Sequence, residues 1–212
     1  MADHAVAFAD LAGFTALTEV HGDEDAADVA GTFYSMAREC LAGDTRLVKP
    51  IGDAVLLVGS NPDDTVATVL GLAARVDAQP EFPGLRAGVH FGPVAMRDGD
   101  VFGATVNVAA RVAAHARSGQ TLCTAALRSA LTRKCGHFVS LGETKLKNVL
   151  LPVELFELVA DGPRATDRDL DPVCRMHLPP GSAWWLDHGG RTIRFCSAKC
   201  RDAFAAAPES FE

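Results

Sequence analysis

The sequence predicts an α+β fold with helices on one face of a mainly antiparallel, ferredoxin-like sheet, followed by a small Cys-rich α+β domain. Apolar patterns give the order β, α, β, β, α, β, then α, β and further strands, which fits this class better than a doubly wound parallel sheet. Two strand patterns are separated only by Gly52-Asp53, as in a tight hairpin. A polar Gly/Pro-containing stretch at 161–168 reads as a linker, which predicts domains at residues 1–160 and 169–212.

The individual elements follow from local patterns. Apolar residues recur at helical spacing over 24–42, and this helix stops at Gly43. A second helix starts at Asn61-Pro62, because Pro suits the first turn of a helix. In chain order we predict a strand at 5–9, a helix at 24–42, strands at 45–51 and 54–58, a helix from 61 to about 78, a strand at 85–91, a helix at 105–117, a strand at 120–124, a helix at 125–134, and strands near 138–141 and 153–158.

Composition excludes several classes of protein. The chain has 212 residues, of which 48% are hydrophobic and 22% charged, so it is neither disordered, collagenous nor a coiled coil. The longest nearly apolar stretch, 65–76, is shorter than the ~20 residues of a membrane span, and the acidic N-terminus is no signal peptide. We therefore expect a cytoplasmic protein without membrane contact. The net charge of −7 argues against a nucleic acid partner.

The six cysteines fall into two groups. A reducing cytosol argues against a disulfide framework. Cys40, Cys123 and Cys135 are interpreted as small buried apolar residues, whereas Cys174, Cys196 and Cys200 are candidates for another role. Five histidines show no ligand spacing and are interpreted as ordinary: His4, His21, His90, His115 and His137.

Asp10 ends a predicted buried strand, and the chain then turns through Gly13 into a helix. The start of a helix presents free N–H groups to an anion, and a neighbouring carboxylate can bind a cation. Together they suit a metal-bound phosphate. The alternative is that Asp10 only caps the turn.

Asp53 is a second carboxylate, at the tip of the predicted hairpin. If its strand neighbours that of Asp10, the two carboxylates converge and raise each other's pKa unless a divalent cation lies between them. Magnesium accepts such a site and completes its shell with water and phosphate oxygens. The alternative is a solvated turn residue.

Asn107 and Arg111 lie four residues apart on a predicted helix and therefore share a face. An amide and a guanidinium there could bind a sugar and a phosphate. Val and Ala make up much of this helix, and the alternative is a solvated polar stripe.

Four segments in this order resemble the motifs of one family, the class III nucleotidyl cyclases, over about residues 5–158. The resemblance implies a homodimer with two active sites at its interface, which converts ATP to cyclic AMP and pyrophosphate. The segments are Phe8-Ala-Asp10-Leu-Ala-Gly13-Phe14-Thr15, Lys49-Pro-Ile-Gly52-Asp53, Asp100-Val-Phe-Gly103-Ala-Thr-Val-Asn107-Val-Ala-Ala-Arg111, and Leu146-Lys-Asn148 followed by Pro152-Val-Glu-Leu-Phe156, with Asn148 where the family has Gly.

The resemblance also implies residue roles, with the metal-binding aspartates of each site supplied by one chain and the purine, ribose and transition-state residues by its partner. Adenine offers an acceptor at N1 and a donor at N6, which match a Lys and an Asp, whereas guanine inverts both. By motif position, Asp10, Asp53 and the Leu11 carbonyl would bind two Mg²⁺ or Mn²⁺ ions, Gly13, Phe14 and Thr15 would bind substrate, Lys49 and Asp100 would select the purine, and Asn107 and Arg111 would position the ribose and stabilise the transition state.

The tail resembles the YHS (TRASH-like) module, which is associated with heavy metals, through Asp171-Pro-Val-Cys174 and Phe195-Cys196-Ser-Ala-Lys-Cys200. Ser197 is a plausible cap of a helix that starts between the last two cysteines. Three thiolates suit Zn²⁺ or Cu⁺, and a metal would help to stabilise so small a domain. Arg175 stands where the family usually has Gly. The fourth-ligand candidates are His177, His188 and Asp171, and the alternative is a metal-free core in which the cysteines pack with Trp184 and Trp185.

Three further interpretations stay open. The enzyme could be a guanylate cyclase, which the Lys49 and Asp100 pair disfavours. The first domain could be an inactive nucleotide-binding or dimerisation platform for a metal sensor. The chain could also be a metal chaperone with an incidental cyclase-like fold.

Overall fold

The computed structural model describes residues 2–161, 170–179 and 181–211. Most of the predicted linker at 161–168 lies outside these residues. The elements are β1 (Ala2–Leu11), α1 (Phe14–His21), α2 (Asp23–Glu39), β2 (Arg46–Ile51), β3 (Ala54–Gly59), α3 (Pro62–Asp77), β4 (Leu85–Arg97), β5 (Asp100–Phe102), α4 (Ala104–His115), β6 (Thr121–Thr124), α5 (Ala125–Ala130), β7 (His137–Thr144), β8 (Val153–Val159), β9 (Trp184–His188), β10 (Arg191–Phe195) and α6 (Ala198–Ala206).

The main sheet has the strand order β2-β3-β1-β4-β6-β8-β7. Its first four strands and intervening helices form the predicted βαββαβ unit, with β1 antiparallel to both β3 and β4. The β4–β6 pair is parallel, whereas β6–β8 and β7–β8 are antiparallel. Gly52-Asp53 connects β2 to β3 as predicted. The sheet is thus mixed but mainly antiparallel.

The prediction that all helices lie on one face of the sheet is wrong. Side chains alternate between the two faces along β1: Ala5 and Ala7 pack with residues of α2, α3 and α5, whereas Val6 packs with Ala109 of α4. The helix α4 lies so close to β4 that a Cβ atom at Gly88 would be 2.0 Å from the Ala113 nitrogen. The missing side chain at Gly88 therefore permits a helix on the second face, a contact that apolar periodicity does not reveal.

Two elements differ in length from the prediction. The strand predicted at 85–91 continues to Arg97 and pairs with β5, a strand that was not predicted. The turn between them has positive φ at Asp98 and Gly99, the residue types that tolerate this conformation. The helix predicted at 125–134 ends at Ala130, because the backbone of Leu131 is extended.

The tail packs on the first domain instead of enclosing a separate apolar core. Leu17 of α1 and Ala26 of α2 belong to the same buried cluster as Phe195 and Phe204. Trp184 and Trp185 are 40% and 56% exposed, so the alternative of a core built on these tryptophans is wrong. Ser197 caps α6 as predicted by accepting a hydrogen bond from the Cys200 N–H.

Among the described residues, none of the helices combines the length and the apolar character needed to cross a bilayer.

Candidate active site and metal centre

The predicted pair of carboxylates does converge. The Leu11 N–H donates to the Asp53 carbonyl over 3.1 Å, which fixes the β2–β3 turn against the end of β1. Asp10 is paired with Ala54 in the β1–β3 register, so Asp53, the preceding residue, lies beside the end of β1, where its negative charge acts on the Asp10 carboxylate. The structure therefore brings together two acidic groups that are 43 positions apart along the chain.

Arg86 is a member of this site that the sequence analysis missed. It lies opposite Asp10 in the β1–β4 register, and its Nε is 2.7 Å from Asp10 Oδ2. Directly opposed residues of antiparallel strands share a face, so the two side chains meet. A strand-pairing register would have located Arg86, but a single sequence does not supply one.

The pKa of Asp10 is raised to about 6. Burial is the main cause, Arg86 opposes it, and the neighbouring Asp53 adds to it. A divalent cation bound between the two carboxylates would offset the effect of Asp53 on Asp10. Below about pH 6, a proton competes with the cation for Asp10.

The loop after β1 leads into an anion-binding geometry. Gly13 has φ of +74° and precedes α1, whose first N–H groups have no partner within the helix. Thr15 is exposed in this first turn, and Phe14 is half-buried. A cavity of about 590 Å³ adjoins Gly13 and is also lined by Arg86, Arg117 and Arg175. This cationic cavity suits a polyphosphate.

Lys49 and Asp100 form an ion pair, with Lys49 Nζ 2.5 Å from Asp100 Oδ2. The β4–β5 hairpin contacts the edge strand β2 and places Asp100 there, and the Arg46 guanidinium donates a hydrogen bond to the Gly99 carbonyl over 3.2 Å. The Lys49 hydrogen bond lowers the pKa of Asp100. Pro50 is tolerated because β2 is an edge strand.

Asn107 and Arg111 lie on α4, and both side chains are exposed. This helix covers the sheet face that bears Val6, and Asp10, four positions along β1, points to the same face. Within the described part of one chain, no hydrogen bond or ion pair joins these two residues to Asp10 or to the Lys49–Asp100 pair. The candidate residues thus form three separate groups.

The three tail cysteines lie together with a histidine of the first domain. Cys174 Sγ is 3.5 Å from Cys196 Sγ, which is 3.6 Å from Cys200 Sγ. His21 Nε2 lies 3.4 Å from the Cys200 sulfur and 3.8 Å from the Cys196 sulfur. All four candidate ligand atoms lie within 4.8 Å of one another. The interpretation of His21 as an ordinary residue is therefore wrong. The sequence does not reveal that α1 contacts the tail, and this contact brings the imidazole to the thiols.

The three candidates for a fourth ligand have other partners. Asp171 accepts hydrogen bonds from the Cys174 and Cys196 N–H groups over 3.2 and 2.7 Å, so it positions both cysteines. His177 is buried, and its Nε2 is 3.9 Å from Asp77 Oδ1. The His188 ring packs edge-on against Phe204. None of them belongs to the cluster of ligand atoms.

The thiol groups polarise one another. Hydrogen bonds from Cys174 and Cys196 lower the pKa of Cys200 to about 4, although burial opposes this. The pKa of Cys174 is raised, first by its hydrogen bond with Cys196. Cys200 is thus the thiol of the cluster that ionises most readily, and the thiolate is the form that binds metals.

The fold and these groups define the class of the protein. Residues 1–158 match the family model described as the adenylate and guanylate cyclase catalytic domain, and the chain belongs to this family. It is 47% identical over 126 residues to the pH-sensitive adenylate cyclase MT1302 of Mycobacterium tuberculosis, which covers 59% of this chain and 32% of that protein. A solved adenylate cyclase of Trypanosoma brucei in its monomeric state has the same fold, with a TM-score of 0.69 and 21% identity over 78% of this chain and 93% of that chain.

A shorter match relates part of the chain to another kind of protein. A 42-residue segment, 19% of this chain, is 50% identical to part of a copper-transporting P-type ATPase of Rhizobium leguminosarum bv. viciae and covers 5% of that protein. The chain thus spans about a third of MT1302 and a small fraction of the ATPase.

Two departures from the motifs have a common backbone explanation. Asn148 and Arg175 stand where the resembled families have Gly, and their φ angles are +62° and +57°. Gly adopts this left-handed region freely, and Asn does so more easily than other residues. Both residues thus adopt a backbone conformation that is typical of Gly, and the Arg175 side chain lies against Gly13.

Proposed function

We propose that the protein is an adenylate cyclase that converts ATP to cyclic AMP and pyrophosphate at two sites of a homodimer. The observation that carries this proposal is the convergence of Asp10 and Asp53 beside a cationic cavity. Family membership supports the reaction class, and the name of the mycobacterial relative supports the choice of product.

The donor set fits two magnesium or manganese ions held by Asp10, Asp53 and the Leu11 carbonyl. When bound, such ions supply Lewis-acid stabilisation of the phosphates and lower the pKa of the attacking 3′-hydroxyl. The N–H groups of Gly13, Phe14 and Thr15 would bind the outer phosphates, assisted by Arg86. These residues fix the leaving group in line with the ribose.

The remaining groups are proposed to act on the nucleotide in the partner's site. Lys49 would donate to adenine N1 and Asp100 would accept from its N6 amine. Asn107 would orient the ribose, and Arg111 would stabilise the charge that develops on the α-phosphoryl group. The separation of these groups from Asp10 within one chain supports a shared site. Three exposed apolar side chains, Ile51, Met96 and Phe102, lie on the elements around the Lys49–Asp100 pair and suit a covered interface.

A side-by-side assay with ATP and GTP tests the proposal. We expect kcat/KM for ATP to exceed that for GTP by at least about 10²-fold. With guanine, the Lys49 donor would face the N1–H donor and the Asp100 acceptor would face the O6 acceptor, so neither hydrogen bond could form. Cyclic GMP as the main product would instead identify a guanylate cyclase. Nucleotide binding without turnover would favour the inactive platform. Metal binding by the tail, with neither nucleotide binding nor turnover, would favour a metal chaperone.

For the tail, we propose a Zn²⁺ or Cu⁺ site built on Cys174, Cys196 and Cys200, which modulates the cyclase. The docked tail holds Arg175 against Gly13, so it contributes to the walls of the phosphate cavity. Metal loading would stabilise this docked arrangement.

Metal removal is therefore expected to weaken substrate binding. A chelator that is selective for Zn²⁺ and Cu⁺, added in the presence of excess Mg²⁺, should raise KM for ATP several-fold. Deleting residues 161–212 should do the same. The Cys196→Ser variant is the control and should not respond to the chelator. Identical kinetics of the treated, untreated and truncated proteins would remove the proposed coupling.

A further inference from the structure

We infer that His21 is the fourth ligand of the tail metal, so that a single tetrahedral Zn²⁺ ion joins the cyclase domain to the tail. The inference rests on the proposed metal binding by Cys174, Cys196 and Cys200. It adds a ligand from α1, about 150 residues away in sequence from the first of these cysteines, and it turns a local site of the tail into a connection between the two domains.

The spacing of the donor atoms fits this ion. Sulfur atoms at ~2.3 Å from a tetrahedral zinc lie about 3.8 Å apart, and a sulfur and an imidazole nitrogen lie about 3.5 Å apart. The two measured S···S distances are 3.5 and 3.6 Å. The two S···Nε2 distances of His21 are 3.4 and 3.8 Å. The other two pairs of donor atoms lie within 4.8 Å of each other, so side-chain movements that bring Cys174 closer to its neighbours would close four bonds around one centre.

The surroundings of the cluster favour cation entry. A second cavity, of about 350 Å³, is lined by His21 and Cys196 and by the acidic side chains Asp25, Asp28 and Glu81. Carboxylates around the mouth of a cavity raise the local concentration of cations. The cluster thus has both a ligand set and an entry path of matching charge, which are separate requirements for a metal site.

The imidazole decides between the two candidate ions. Three thiolates alone satisfy Cu⁺, whereas zinc in structural sites takes four ligands, and Cys₃His is one of its common sets. A contribution of His21 to affinity is therefore expected for Zn²⁺.

The position of His21 gives the ion a mechanical role. It is the last residue of α1, whose other end follows Gly13, about 12 Å away for eight residues at helical rise. The tail contacts both ends of this helix. At one end the Cys174 carbonyl and Arg175 lie against Gly13, and at the other end Cys196 and Cys200 lie against His21. A zinc ion on His21 would fix α1, and with it the phosphate-binding loop.

Metal titrations of the reduced full-length chain test the inference. The variant His21→Asn removes the ligand, and His137→Asn is the matched control, since His137 is an exposed residue of β7 outside the cluster. We expect the wild type and His137→Asn to bind one Zn²⁺, with His21→Asn at least about 100-fold weaker, because the loss of even an outer-shell partner costs 10–100-fold. Co²⁺ should give a tetrahedral thiolate–imidazole spectrum only in the first two proteins. Hydrogen exchange of residues 14–21 should slow with Zn²⁺ in these two alone.

A second variant separates ligand loss from misfolding. His21→Cys should restore tight Zn²⁺ binding and shift the Co²⁺ spectrum towards four thiolates. Equal Zn²⁺ affinity and equal Co²⁺ spectra in wild type and His21→Asn would overturn the role of His21 while leaving the three-cysteine site intact. Tight Cu⁺ binding that ignores His21, with weak Zn²⁺ binding in every variant, would overturn the zinc assignment. No metal binding by the wild type would overturn both this inference and the proposed tail site, but not the cyclase proposal.

Discussion

An equal mixture of Asp10→Ala and Asn107→Ala chains should regain about a quarter of the wild-type activity, although each variant alone is nearly inactive. The loss of a metal-binding carboxylate or of a ribose contact should each lower kcat by a factor of about 10² to 10³ or more. In a mixed dimer one site carries both changes and the other carries neither. Random pairing makes half of the dimers mixed, so a quarter of all sites are intact.

The matched control is a mixture of Asn107→Ala and Arg111→Ala chains. Both changes lie on α4 and would enter the active sites from the same side of the interface. Every site of a mixed dimer then carries one defect, and activity should stay at the level of the single variants. Differently tagged chains report whether mixed dimers have formed. Mixed dimers of the first pair without recovery, or recovery in the control pair, would contradict the shared-site arrangement.

The fold was predictable where local chemistry decides it. The turn at Gly52-Asp53 and the start of α3 at Asn61-Pro62 depend on a few adjacent residues, and the structure confirms both. The placement of α4 on the second face was not predictable, because it depends on the contact of Gly88 with a helix that starts sixteen residues later. Apolar periodicity shows which side of a helix is buried but not which face of a sheet buries it.

The candidate site divides in the same way. Asp10 and Asp53 could be proposed from turns and motif spacing, and the structure brings them together. Arg86 and His21 were missed for one physical reason: each becomes relevant only through a contact formed by distant segments, a strand register for Arg86 and a docked tail for His21. Both are of residue types that are usually solvated or packed without function, so the sequence alone offers no reason to select them.

Replacing Arg111 with alanine should lower kcat by about 10² to 10³-fold and leave KM for ATP almost unchanged. A guanidinium that meets the charge on the α-phosphoryl group is needed more in the transition state than in the ground state, and such groups change kcat instead of KM. Arg111 is exposed on α4, so its removal should change the free energy of unfolding by less than about 0.5 kcal/mol.

Steady-state kinetics and thermal melting of the same preparation separate the catalytic effect of Arg111 from a loss of stability. Arg38→Ala is the control, since Arg38 is an exposed guanidinium in the last turn of α2, a helix that packs on the opposite face of the sheet. It should behave as the wild type in both measurements. If Arg111→Ala raised KM for ATP at constant kcat, Arg111 would bind the ground-state nucleotide, and the transition-state charge would have to be met by another group such as Arg86.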